Sequence, residues 1–169
     1  TVIFGSPSKL KIVPLSFAQR FPALQSGDVD AIIKVTGWTL GSDTELGMQF
    51  SQPYFLGATQ MAVSTATGAK TGKDLNGASM CAQAGTSTER YAADYLTAQK
   101  VKYELITFEK SEEMRAAFFS GRCDAITLWG PNLYISISQA PDPSKFAVLP
   151  DVLAVEPQSI GMRQGDDNF

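Results

Sequence analysis

Apolar positions along this chain fall into short clusters, and the clusters alternate between two rhythms. Compact runs such as "SMCAQAG", "KYELITF" and "CDAITLW" read as strands. Between them lie segments whose apolar residues recur at helical spacing. "TSTERYAADYLTAQK" (86–100) opens on a Thr/Ser-rich cap with Glu89 in its first turn. "KSEEMRAAFFSG" ends at Gly121, and "GPNLYISISQA" carries Pro131 near its start. Upstream, "KLKIVPL" (9–15) predicts a strand, and "SFAQRFPALQSG" (16–27) a helix capped by Ser16 and stopped by Gly27. "VDAII" predicts the next strand, "GSDTELGMQF" a short helix capped near Asp43, and 53–65 a long strand. "KFAVLPDVLAVEPQSIGMR" predicts one or two strands more. Strands alternating with helices imply an α/β chain with a parallel or mixed sheet.

One phrase occurs twice. "LQSGDVDAII" (24–33) and "FFSGRCDAIT" (118–127) each end a helix at Ser-Gly and enter a strand through Asp-Ala-Ile. Glycine stops the helix and Asp belongs to the turn, so the phrase itself is local turn chemistry. Its value is the repetition: residues 65–149 hold a full β-α-β-α-β-α run, and the segment before it is a shorter version of the same pattern.

Composition narrows the chemistry. The 169 residues are 44% apolar and 18% charged, enough for a buried core. No apolar run is long enough to span a membrane. A net charge of −3 disfavours nucleic acid as a partner. The sequence contains no histidine, which removes Ser-His-Asp and Cys-His catalysis and the commonest metal ligand. No metal or other cofactor is expected. Cys81 and Cys123 form no CxxC motif, and their apolar surroundings suit either two buried thiols or one disulfide. "AGTSTE" sets Gly85, Thr86, Ser87 and Thr88 at a helix start. Free N–H groups there favour an anion, although capping by Thr86 or Ser87 accounts for the same residues.

Taken in order, "ALQSGDVDAI", "FSQPYF", "DLNGASMCAQAGTSTE", "SGRCDAIT" and "IGMRQGDDNF" resemble the family 3 extracellular solute-binding proteins of ABC importers. The general L-amino-acid-binding branch is the nearest in look. The resemblance implies a two-lobed periplasmic-binding-protein-like fold (type II), with residues 1–57 and 156–169 forming an incomplete lobe 1 and residues 58–155 a complete lobe 2. Compared with the family, the chain looks truncated at both ends. That branch carries cysteines at both positions, which implies a Cys81–Cys123 disulfide.

The same resemblance implies a binding cleft between lobes joined by a hinge near 54–63 and 155–162. Phe17, Lys34, Thr36, Gly37, Ser42, Gly85, Thr86, Ser87 and Trp129 would line it. Two of these depart from the family. Ser42 stands where relatives place the arginine that pairs the ligand's carboxylate, and Trp129 where they place the acid that meets its amino group. Losing one such charge-assisted pair costs roughly 2–5 kcal/mol of affinity. The expected function is therefore solute binding for an importer, without catalysis, with an amino acid or related polar solute as ligand. The transporter's membrane subunits would be the protein partner, and the location periplasmic or secreted after removal of a signal peptide. A truncated chain would also invite a dimer or a domain swap. Two alternatives are a receptor-like module kept for sensing or protein contacts, and a cyclohexadienyl-dehydratase-like enzyme using Asp43, Glu45 or Glu109.

Overall fold

A computed structural model describes residues 5–33 and 47–165, apart from the side chain of Phe17. The strands form two sheets. The smaller contains β1 (Ala31–Ile32), β2 (Met48–Phe50) and β9 (Gly161–Arg163), with β9 antiparallel between the other two. Helix α1 (Phe17–Ser26) packs on β1 and β9. Its start follows from sequence: Ser16 accepts from the Gln19 N–H, and the Gln19 side chain returns the bond to the Ser16 N–H.

The larger sheet runs β5-β4-β6-β3-β7, with β8 also pairing β3. Its strands are β3 (Phe55–Ser64), β4 (Ser79–Gln83), β5 (Glu104–Phe108), β6 (Ala125–Trp129), β7 (Phe146–Val148) and β8 (Ala154–Gln158). β4 lies parallel to β5 and β6, while β3 lies antiparallel to β6, β7 and β8. Helices α2 (Ser87–Ala98), α3 (Ser111–Phe119) and α4 (Gly130–Ser138) cover it. Because side chains alternate along a strand, adjacent residues feed two separate cores. Met61, Met80 and Ala125 pack with Ala92 and Leu96 of α2. Ala62, Cys81 and Ile126 pack with Met114 and Phe118 of α3 and Leu133 of α4. Cys81 and Cys123 are joined there by a disulfide with Cα atoms 5.7 Å apart.

The repeated phrase has the same conformation in both copies. Gly27 and Gly121 take φ of 84° and 81°, the left-handed region that side chains avoid. Each Asp then ties its turn down. Asp124 accepts from the N–H and hydroxyl of Ser79, both at 2.8 Å, and Asp30 pairs with Arg163 at 2.9 Å.

Two predicted elements differ. Residues 9–15 form no strand: a 3-10 turn at Pro7–Lys9 leads into unpaired chain, with Ile12 81% exposed. The apolar alternation is real, but no neighbouring strand among the described residues supplies hydrogen bonds. The end of the predicted helix "GSDTELGMQF" is instead strand β2, held by register pairs to β9; residues 34–46 lie outside the described residues. The closing stretch holds three strands rather than one or two.

Candidate functional site

The chain passes between the sheets twice, at 51–54 and at 159–160, and the two passages are bonded together. The Ser51 N–H donates to the Ile160 carbonyl, the Ile160 N–H to the Ser51 hydroxyl, and the Tyr54 N–H to the Gln158 carbonyl. A cleft of about 200 Å³ is lined by residues of the large-sheet body together with Arg20 of α1.

Most of its wall comes from the large sheet. Thr86, Ser87 and Thr88 present the start of α2. Thr86 caps that helix, accepting from the Glu89 N–H at 3.2 Å while donating to the Gln83 carbonyl at 2.7 Å. The Gly85 N–H is bonded to the Glu89 carboxylate at 2.8 Å. Capping chemistry thus engages Gly85 and Thr86, while Ser87 and Thr88 still line the cleft. At helix positions N1 and N2 their N–H groups have no intrahelical acceptor.

From α3 comes Arg115, ion-paired at 3.5 Å with the exposed Glu112, which also lines the cleft. From the small sheet's helix comes Arg20. Burial pulls its pKa down to about 10, a pull that the Glu156 carboxylate partly opposes, so the guanidinium is charged at neutral pH. It lies 4.4 Å over the Phe21 ring. Two arginines and a helix start facing one cleft favour an anionic group in the solute.

Trp129 ends β6 and forms part of the wall. Its indole lies over Gly57 so closely that a Cβ there would fall 2.0 Å from Nε1, and its ring meets Phe55 edge-on at 5.2 Å. The register pairs Gly57 with Glu156 and Phe55 with Gln158, so these side chains share the face that Trp129 covers. That face holds several buried polar atoms with no hydrogen-bond partner: Trp129 Nε1, Thr59 Oγ1 and the Gln158 amide. Leaving such a group unsatisfied costs about 1–3 kcal/mol, more for a charge.

Of the residues singled out from sequence, Thr86, Ser87 and Trp129 come together at the cleft. Gly85 forms the turn before α2 with φ 71°. The Phe17 backbone begins α1, three residues before Arg20. Lys34, Thr36, Gly37 and Ser42, with Asp43 and Glu45, lie outside the described residues. Glu109 is exposed and does not line the cleft. Arg20 and Arg115 were missed by sequence reasoning. The available signal for Arg20 was its helical spacing from Phe17; Arg115 reads in sequence as a surface ion pair.

The model of the bacterial extracellular solute-binding proteins, family 3, matches residues 5–168. The chain belongs to that family. It is 38% identical over 167 residues to the putative amino-acid ABC transporter-binding protein YhdW of Escherichia coli, covering 99% of this chain and 49% of that protein. Against the general L-amino acid-binding periplasmic protein AapJ of Rhizobium johnstonii the identity is 35%, covering 100% of this chain and 50% of AapJ. The chain thus spans about half the length of these relatives. Among solved structures, an ABC transporter periplasmic binding protein from Brucella ovis with glutathione bound superposes with a TM-score of 0.89 at 42% identity, over 97% of this chain and 52% of that one. An ancestral arginine-binding protein bound to arginine shares the fold, with a TM-score of 0.82 at 24% identity.

Proposed function

We propose that this chain is the solute-binding part of an ABC importer component and takes an amino acid or a small amino-acid-derived solute with an acidic group. In this reading residues 1–57 and 156–169 belong to one lobe and 58–155 to the other. The β3–β8 ribbon is the hinge, and the solute binds as the lobes close. The observation that carries it is the placing of Arg20, from the small sheet's helix, in one cleft with Arg115 and the start of α2 from the large-sheet body. A solute touching both sides stabilises the closed arrangement by its differential contacts.

The relatives support the class of ligand. YhdW and AapJ are named as amino-acid-binding, and the Brucella ovis protein was solved with glutathione. These names also support a periplasmic or secreted location and a transporter membrane complex as partner. Among the described residues no helix is long and apolar enough to cross a membrane. A charged, polar cleft favours this reading over a module kept only for protein contacts, and the relatives, named as binding proteins, lend no support to dehydratase chemistry.

The test is thermal melting and titration calorimetry against L-amino acids, amines, small organic acids and glutathione. A solute at about 100 times its Kd adds roughly 2.7 kcal/mol to stability. The proposal expects such a shift with at least one acid-bearing solute and none with simple amines. A cooperatively melting protein that responds to none of them contradicts it.

A further inference from the structure

We propose that Arg115 receives a second acidic group of the solute and that Glu112 is the counter-ion this group displaces, so that the cleft selects solutes carrying two acidic groups. The inference rests on reading the cleft as a solute site, and it names how many negative charges the solute brings.

Among the described residues, the charged side chains lining the cleft are Arg20, Glu112 and Arg115. The two arginines come from separate helices, α1 and α3. A guanidinium meets a carboxylate through two parallel hydrogen bonds, which occupy both oxygens. In that mode one carboxylate serves one arginine, and the second arginine calls for a second acid. Arg115 already has an acid from its own helix: Glu112, three residues earlier, approaches it at 3.5 Å. That is long for a charge-assisted hydrogen bond. The Glu112 side chain is 78% exposed and that of Arg115 34%. The glutamate can therefore turn into water at little cost, while the guanidinium stays in the wall. With Glu112 in place the lining carries one net positive charge, matched by a solute with one acid. With Glu112 turned out it carries two, matched by a solute with two.

The start of α3 adds to the same point. Lys110 supplies no side-chain cap there, and Ser111, the first helical residue, lines the cleft with Arg115. Its N–H has no intrahelical acceptor and suits an incoming carboxylate oxygen. Glu113, the other acid nearby in this turn, pairs with Lys110 at 3.3 Å and does not line the cleft.

Calorimetry on the wild-type protein, Glu112→Gln and Arg115→Met tests this with solutes that differ only by the second acid: L-glutamate against L-glutamine, glutarate against glutaramate, and glutathione against its glycine-end amide. In a pair that binds, the proposal expects the wild type to prefer the acid by ~10-fold or more. Glu112→Gln, which removes the competing carboxylate, widens that ratio by about threefold, the scale of an exposed ion pair. Arg115→Met brings the ratio close to unity. Equal wild-type affinity within a pair overturns the proposal and leaves the solute site standing. Binding confined to solutes with one acid, such as L-alanine, does the same. A ratio unchanged in Arg115→Met overturns it, and so does a ratio that narrows in Glu112→Gln, because Glu112 would then hold Arg115 in place instead of competing for it. If no solute binds at all, the functional reading itself fails and this inference with it.

Discussion

At Gly57 the backbone of β3 passes beneath the Trp129 indole with no room for a side chain. Gly57→Ala is therefore expected to displace the ring and cost about 1–3 kcal/mol, the usual range for overpacking. Urea unfolding followed by tryptophan emission, in a Trp38→Phe background, reads both effects at once; an unchanged midpoint and spectrum would show that the ring does not rest there. Residues of this kind were only partly legible in sequence. Trp129 was found because it interrupts a family pattern, whereas Arg20 and Glu156 were not. A helix can be read from its caps, as Ser16 and Gly27 show, but caps do not say what each face meets. Glu156 in "VLAVEPQ" looks like the outward polar residue of an edge strand. Its burial depends on β3 and α2, which are distant in sequence.

Elements were more legible, because caps and apolar runs are local. The helix start at Thr86 illustrates both roles of one residue. Thr86→Ala is expected to cost about 1 kcal/mol through the lost cap, and to weaken solute binding as the helix start loosens. Comparing its melting midpoint with its affinity separates the two. The Cys81–Cys123 bridge closes a segment of 42 residues between β4 and the turn before β6. Replacing both cysteines by serine should cost about 2–4 kcal/mol in chemical denaturation. A third element-level device joins α2 to the loop after β7. The Tyr95 hydroxyl donates to Asp151, which also accepts from the Gly72 N–H at 2.9 Å. The hydrogen bond to Asp151 and burial push the Tyr95 pKa up to about 12 from an ordinary 10. The folded state thus holds the phenolic proton more tightly than the unfolded state. The resulting stability is fully present below pH 10 and is lost as the pH rises toward 12. Tyr95→Phe should flatten that part of the stability profile; an unchanged alkaline slope counts against the bond. Where elements were misread, at residues 9–15 and 48–50, the reason is also physical. Apolar alternation shows that a segment suits a strand, but pairing is settled by whether a partner lies beside it.

At the scale of the whole molecule, two sheets meet along a bonded double crossing, and the cleft draws Arg20 from one side and α2 and α3 from the other. The ribbon's opposite face leaves Leu56 and Val155 at 67% and 64% exposure. The central claim is that both sides grip one solute. Its most direct test is calorimetric titration of wild type and Arg20→Met with whichever panel solute binds the wild type best. The account predicts one-to-one binding that weakens by ~30-fold or more in the variant, because a buried, charge-assisted contact is lost. Unchanged affinity in a folded Arg20→Met protein would place the solute elsewhere and contradict the account.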